Sequence, residues 1–516
     1  MQTTEHLWAS KAKLQPISGA NKARAPIDQR RFSALMCGLL LLAISTCNFL
    51  VRLNEPNQPF WDENYYLTAT ARYAQGRAQF ASHPPLGLMF IAAGDALSGA
   101  NHDVDVSDLA RVKTVGDTRL PAHYQIWGPR LSSALFGVGV VMTVYGLLLA
   151  CGVEVFLAAA TATLVAFETA FVVQFRAAQL DAFQVEFALL CVGVLVAAAR
   201  RQPSLARTGY FAVAGAAAGA AAMVKLDGVL LCAAPAALIG PVLMRRWRNP
   251  SSCSTAVLEG LTFIGAAFAI VCATYVAQTL WADAPLDYGA PAAAVDARFM
   301  SRTYQHYLDG RLAWSPKVVA AAAGDSLHYM LNDQAGISLS DPNGSSPWLQ
   351  PFGVKPINYR WDSANGVTRY VQLVANPINW TISGLSLLAA AGALVARPFL
   401  GRNGITRATA LSLAPIVSTA LTFYVAHGLL GAHRVMYLYH AFITVLLGLF
   451  CLPFLVRELL RSRARWQGRI EAGSWSLIAA SVAAFLWLSP LTYHRPLTHR
   501  ACEWRNVPVH IVNCRD

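Results

Sequence analysis

Apolar stretches of about twenty residues, the length that crosses the hydrocarbon core of a bilayer, recur eleven times in this chain of 516 residues. They run roughly over residues 33–51, 131–151, 153–172, 180–199, 209–224, 228–244, 257–281, 377–396, 408–427, 435–456 and 475–492. The predicted fold is therefore an all-α integral membrane bundle of about 11 transmembrane helices. Composition agrees. With 55% hydrophobic and only 13% charged residues, and a mean hydropathy of +0.40, a soluble protein would carry large exposed apolar patches. The fifth stretch is the weakest, because Ala and Gly dominate it and only Lys225-Leu226-Asp227-Gly228 separates it from the sixth.

A formal charge of +13 would suggest nucleic acid in a soluble protein, so the positions of the Lys and Arg residues decide its meaning. They fall in alternate connections. Residues 1–32 carry Lys11, Lys13, Lys22, Arg24, Arg30 and Arg31. The connections near 200–208, 245–256, 397–407 and 457–474 carry Arg200, Arg201, Arg207, Arg245, Arg246, Arg248, Arg397, Arg402, Arg407, Arg457, Arg461, Arg463, Arg465 and Arg469. The two long loops, about 52–129 and 282–376, hold slightly more acid than base. This is the positive-inside pattern, and no nucleic-acid partner is implied. The expectation is a multi-pass protein of the inner (plasma) membrane with a cytoplasmic N-terminus, both long loops outside, and an outer tail at 493–516. The basic arm leads into the first span without a small-residue cleavage site, as a signal anchor does. Most of the ten cysteines lie inside spans, but Cys502 and Cys514 fall in the outer tail. Oxidising conditions allow a disulfide there, two free thiols being the alternative.

The organisation predicted is a basic arm (1–32), an N-terminal transmembrane catalytic module (33–281), an outer loop (282–376), a C-terminal transmembrane module (377–492) and the tail. Within the first loop, residues 63–76 and 85–98 have helical apolar spacing and suggest helices lying along the membrane surface. The second loop is mixed, with Pro, Gly, Asn and Asp near 341–366 marking irregular structure. No internal repeat is evident, which weakens a transporter reading based on inverted repeats.

Ionisable groups at membrane depth cost about 2.5–3.5 kcal/mol at mid-bilayer on insertion scales, yet this chain gathers them toward one leaflet. Asp62 and Glu63 follow the first span, His83 precedes Pro84-Pro85, and Arg130 enters the second span. Arg176 and Asp181 lie between the third and fourth stretches, Lys225 and Asp227 between the fifth and sixth, and His433, Arg434, Tyr437 and His440 at the tenth. Any one of these reads equally well as a snorkelling interfacial charge. Their convergence from separate spans points to a common site. Mid-span positions are nearly free of charge apart from Glu168 and Glu186, which argues against a path through the bilayer and hence against a transporter or flippase.

The same residues carry a resemblance. Residues 61–99, WDENYYLTATARYAQGRAQFASHPPLGLMFIAAGDALSG, resemble the first outer loop of the protein O-mannosyltransferases, in which an Asp-Glu pair precedes His-Pro-Pro-Leu-Gly by about twenty residues. GPRLSSALFG (128–137), VVQFRAAQLDAF (172–183), KLDG (225–228), SPWLQPFGVKPI (346–357), ANPINW (375–380), HRVMYLYHAF (433–442) and SPLTY (489–493) follow in the family's order and extend the resemblance over nearly the whole chain. It implies a bacterial member of this family, with the GT-C fold. Such an enzyme is a glycosyltransferase that moves a sugar, usually mannose, from a polyprenyl-phosphate carrier to a hydroxyl on the outer side of the membrane. The chain departs from the pattern at Ser82, where an acid often precedes His-Pro-Pro, at Leu88, and in the missing second Trp after Trp348. These departures leave the acceptor open. Ser or Thr of an exported protein is one class, and a lipid or envelope glycan, as in the aminoarabinose transferases acting on lipid A, is the other.

The chemistry implied suits these residues. A lipid phosphate leaves without a general acid, so the protein must deprotonate the acceptor and stabilise the departing phosphate. Asp62 is the expected base. Glu63 is expected to orient Arg176 or another cation, or to stand in an interfacial salt bridge. Arg176 is the leading expected phosphate ligand, since a guanidinium presents a bidentate fork, and Arg434, Tyr437, His440, Lys225, Arg130 and Asp181 complete the expected substrate site. His83 either meets Glu63 at a divalent cation or caps the Pro84-Pro85 turn. Two ligands so far apart in sequence specify no metal site, and no obligatory cofactor is expected.

Overall fold

The computed structural model describes residues 27–202, 204–244, 250–401, 404–506, 512 and 514. Much of the predicted cytoplasmic charge, including Lys11, Lys13, Lys22, Arg24, Arg245, Arg246, Arg248 and Arg402, lies outside the described residues. Among those described, nine helices are long and apolar enough to cross a membrane, or ten if one bent pair counts as a single span. The chain is a multi-pass membrane protein, but length and apolarity alone do not reach the expected count of eleven.

The first span is α1 (Ile27–Leu50). The loop that follows folds into α2 (Glu63–Ala74), α3 (Pro85–Ser98) and the short α4 (Ser107–Ala110). Helix α3 starts where its sequence requires, with Pro85 at the first helical position, where a missing N–H costs nothing. It stops at Gly99, whose φ of +66° suits a residue without Cβ. These helices are not detached from the bundle. Tyr66, Leu67 and Tyr73 of α2 and Leu88 and Ile91 of α3 are buried in one cluster with Leu180, Phe183 and Val224, so the loop is packed onto the bundle.

Spans α5 (Trp127–Ala150) and α8 (Asp181–Ala199) follow, and then helix α9 (Leu205–Val224). Between α5 and α8 the expected span at 153–172 is broken into α6 (Val155–Ala166) and α7 (Thr169–Phe175), bent by 62°. Glu168 explains how a break survives there. Its carboxylate accepts the backbone N–H groups of Ala170 (3.2 Å) and Asn376 (2.9 Å) and the indole N–H of Trp380 (2.9 Å), satisfying donors that lipid would leave unpaired. Helix α9 is too poor in large apolar residues to rank among the nine spans. Its Ala and Gly instead permit close approach to the long helix α11 (Pro250–Trp281), which follows α10 (Ala233–Met244). A Cβ on Gly215 would lie 2.1 Å from the Phe263 carbonyl oxygen, and one on Gly219 2.5 Å from that of Ala267, the geometry expected of small residues four apart.

The second long loop holds α12 (Pro291–Ala297), α13 (Arg302–Leu308) and α14 (Pro316–Ala335), then a feature the sequence reading did not foresee. Strands β1 (Ile357–Ala364) and β2 (Val367–Leu373) form an antiparallel hairpin, with β3 (Pro496–Leu497) of the tail on its free edge. The hairpin turn, Asn365-Gly366, has φ of +52° and +73°, conformations that Asn and Gly adopt readily. The remaining spans are α15 (Pro377–Leu400), α16 (Arg407–Leu430), α17 (Phe442–Ser462) and α18 (Gln467–Thr492). After them the tail forms α19 (His499–Glu503) and a Cys502–Cys514 disulfide. Helices α8 and α17 form the interior of the bundle, their apolar windows 67% and 78% buried, whereas α1 and α11, at 17%, face outward.

The α9–α11 contact gives a direct test. Gly215→Val should destabilise the protein by about 1–3 kcal/mol through overpacking, seen as a lower melting temperature in detergent. Gly146→Ala on α5, where nothing lies within 4 Å of an added Cβ, should show no such loss. Equal melting temperatures for the two variants would contradict the close helix contact.

Candidate active site

The adjacent carboxylates Asp62 and Glu63 have opposite surroundings. Glu63 opens α2 and is fully buried. Arg130, itself buried at the start of α5, grips it through Nε to Oε1 and Nη2 to Oε2, both at 2.7 Å. The backbone N–H groups of Ala178 (2.8 Å) and Phe60 (3.2 Å) complete four donors on the two oxygens. The rest of the Arg130 guanidinium donates to the carbonyls of Leu53, Pro56 and Gln58. Glu63 therefore does not orient Arg176, and it does not meet His83 at a cation, since its lone pairs are taken. Among the described residues, no group of three His, Cys, Asp or Glu side chains is arranged to hold a metal ion.

Asp62 sits one residue earlier, at the N-cap of α2, yet its side chain makes no capping bond. Among the described residues no donor reaches its carboxylate. It lines a cavity of about 580 Å³ together with His83, Arg434, Tyr437, Tyr439 and Tyr66. Burial pushes the Asp62 carboxyl up to about 6, an effect that the positive charges of Lys225 and Arg434 partly offset. The preceding residue, Trp61, has a φ of +53°, which a bulky side chain adopts only when its surroundings impose it. Here Trp61 packs on Tyr359 (centroids 4.9 Å apart) and meets Tyr437 edge-on at 5.2 Å.

His83 also lines the cavity, beside Tyr66, with no hydrogen bond to its ring among the described residues. Burial, the first cause, and the charge of Lys225 push its imidazole down to about 3, so it is neutral. Arg434 donates through Nη1 to Gln334 Oε1 and through Nε to the Val435 carbonyl at 3.4 Å. Gln334, near the C-terminal end of α14, also reaches the Ser82 carbonyl at 3.3 Å, so α14 closes over this side of the cavity.

Behind Tyr439, Lys225 donates to Asp181 Oδ1 at 2.6 Å and stands 5.3 Å from the Tyr439 ring centroid. Asp181 Oδ2 accepts from Gln174 (2.7 Å), whose own oxygen accepts the Tyr359 hydroxyl (2.6 Å). His440 is turned onto the backbone of Tyr437, its Nδ1 3.1 Å from the N–H and 2.9 Å from the carbonyl oxygen, and its ring stacks on Tyr439 at 4.7 Å. Asp227 contacts His427 (3.1 Å) and accepts from Gln184 (2.5 Å).

Arg176, the expected phosphate ligand, lies elsewhere. It is buried with its guanidinium over the Tyr493 ring, donating to the carbonyls of Asn48, Phe49, Val51 and Arg52. These carbonyls lie at and just beyond the C-terminal end of α1, where a cation is favoured; those of Asn48 and Arg52 accept the Tyr493 hydroxyl and the Glu55 N–H as well. Arg130 and Glu63 are likewise outside the cavity wall, while Asp62, His83, Arg434 and Tyr437 form part of it. Arg72 and Lys113 are further cavity residues that sequence reasoning missed. Lys113 pairs with Asp296 at 2.5 Å and is pushed down to about 8, chiefly by burial. The missed signal for Arg72 was a charge on the buried face of a short apolar helix. Gln174 and Tyr359 are uncharged, so a census of charges passes over them.

Two family models match in succession. Dolichyl-phosphate-mannose-protein mannosyltransferase matches residues 39–278, and the C-terminal four-span region of protein-O-mannosyltransferase matches residues 326–508. No curated relative is matched by sequence. Among solved structures, the Saccharomyces cerevisiae protein O-mannosyltransferase Pmt1-Pmt2 complex bound to the sugar donor superposes with a TM-score of 0.74 at 14% identity, covering 92% of each chain. The Archaeoglobus fulgidus oligosaccharyltransferase AglB has a TM-score of 0.49 at 12% identity, covering 93% of this chain and 58% of its own. ArnT from Cupriavidus metallidurans has a TM-score of 0.32 at 13% identity, covering 82% of this chain and 77% of its own. At those two scores neither likeness bears on the argument. The chain belongs to the protein O-mannosyltransferase family and is a membrane-embedded, polyprenyl-phosphate-dependent glycosyltransferase.

Proposed function

We propose that the protein transfers mannose from a polyprenyl-phosphate carrier to Ser or Thr hydroxyls of exported proteins, on the outer face of the membrane, with Asp62 as the general base. The observation that carries this reading is the state of Asp62, a half-buried carboxylate without a hydrogen-bond donor among the described residues, on the wall of a cavity that also holds Arg434, Tyr437 and His83. The acceptor oxygen attacks the anomeric carbon and gives its proton to Asp62. The bond from that carbon to the phosphate oxygen breaks, its electron pair leaves with the phosphate, and the anomeric centre inverts. No general acid is needed for a phosphate leaving group, but its charge must be met by directional cations. Arg434 is the residue proposed for that contact, its Nη2 unbonded among the described residues and its Nη1 held by an exchangeable amide. Lys225 adds positive potential, and the neutral His83 ring is free to hydrogen bond the sugar or the carrier. A divalent cation is not required by these residues.

The orientation rests on the charge census. Arg457 and Arg461 lie at the opposite end of the bundle from Asp62, since α17 carries the cavity residues before its start and these arginines near its end. Basic loops favour the cytoplasm, which supports a cavity that opens outward.

Membranes incubated with radiolabelled polyprenyl-phosphate-mannose should incorporate label into precipitable protein. Label appearing only in the lipid extract would overturn the protein acceptor. Asp62→Asn should reduce transfer by about a thousandfold or more, within the range of a lost general base, with little change in melting temperature. Glu63→Gln should behave differently, destabilising the fold by about 3–5 kcal/mol because it leaves the Arg130 charge buried and uncompensated. The acid limb of the kcat/KM profile should fall as pH drops through about 6, because a protonated Asp62 cannot accept the acceptor's proton. A limb that survives unchanged in a partly active Asp62→Asn would remove Asp62 from the step.

A further inference from the structure

We infer that Tyr359 is a positioning residue for sugar transfer, fixing Asp62 and Lys225 at once from the β-hairpin of the second loop; the inference rests on the assignment of Asp62 as base. In the ladder between β1 and β2, Asn358 pairs with Gln372 and Arg360 with Val371, so Tyr359 is the extra residue of a β-bulge. A bulge re-aims the side chain it carries, and this one sends Tyr359 into the protein, 8% exposed.

The side chain makes two kinds of contact there. Its ring lies against Phe60 (centroids 5.7 Å apart) and Trp61 (4.9 Å), the residues immediately before Asp62. Trp61 holds a left-handed backbone conformation, and a packed partner is what keeps a residue with a large side chain in that region. Its hydroxyl donates to Gln174 at 2.6 Å, and the bonds continue from Gln174 to Asp181 and from Lys225 to Asp181. Gln174 is fully buried and Asp181 nearly so, so water does not compete along this chain. Lys225 is the cation with the largest effect on the Asp62 carboxyl. One side chain thus braces the backbone that presents the base and the network that holds the cation Lys225. The first loop supplies Asp62 and the transmembrane bundle Asp181 and Lys225, and the second loop sets how they face one another.

Tyr359→Phe keeps the ring and removes the hydroxyl. It should lower kcat about tenfold, the effect of one buried hydrogen bond, with KM little changed. It should also move the acid limb of the pH profile upward, since a loosened Lys225 lowers the Asp62 carboxyl less. Gln174→Leu should act the same way, and the double variant should be no worse than the worse single one, as for residues in one network. Asp362→Asn, further along β1, disturbs the Arg360 and His494 pairs without touching the chain and should leave both readouts unchanged. A wild-type kcat and pH profile in Tyr359→Phe would overturn the positioning role, and so would additive loss in the double variant or an equal defect in Asp362→Asn. Asp62→Asn assayed in parallel separates the two claims. Near wild-type activity there removes the base assignment itself, whereas a strongly impaired Asp62→Asn beside a normal Tyr359→Phe removes only the positioning role.

Discussion

The buried pair of Glu63 and Arg130 joins the start of α2 to the start of α5, and through its other bonds it collects the chain at Leu53, Pro56, Gln58, Phe60 and Ala178. A charge pair this dry is stable only when nearly every donor and acceptor around it is used, and here the surrounding backbone supplies what the pair does not. The polypeptide between the first two spans is thereby held as a fixed wall. Asp62, one residue away, inherits its position from that wall while staying out of the network.

Arg176 works in the same manner at the neighbouring corner. Its guanidinium gathers four carbonyls at the end of α1, so two arginines that could have met a phosphate instead build the floor on which the loop rests. Both are rigid forks with more donors than Lys offers, which suits backbone carbonyls converging from several directions as well as it suits an oxyanion. Arg434 differs in being tied to a side-chain amide at a cavity wall, a partner that a ligand can replace.

Much of this organisation was legible along the chain. The hydrophobic spacing located the spans, the Pro84-Pro85 pair marked the start of α3, and placing Cys502 and Cys514 together in the tail allowed the disulfide now seen. The break at Phe167–Glu168 was not legible, because hydropathy averages over a window and cannot register a helix that turns by 62° within it. The hairpin was missed for a related reason. Its strands alternate over only a few residues, and one bulged tyrosine disrupts even that pattern.

By itself the sequence determined that this protein lives in a bilayer, that one set of ionisable residues from separate segments gathers away from the arginine-rich connections, and that an Asp-Glu pair stands in that set. Those properties follow from residue type and spacing, which set transfer free energies irrespective of partner. Only the tertiary structure decided which carboxylate of the pair is spent on the fold and which is left for chemistry, and which arginine faces a cavity. Adjacent residues share every sequence property but point in different directions, and a buried charge is defined by donors that arrive from segments far away in the chain, such as Arg130 and Ala178 for Glu63.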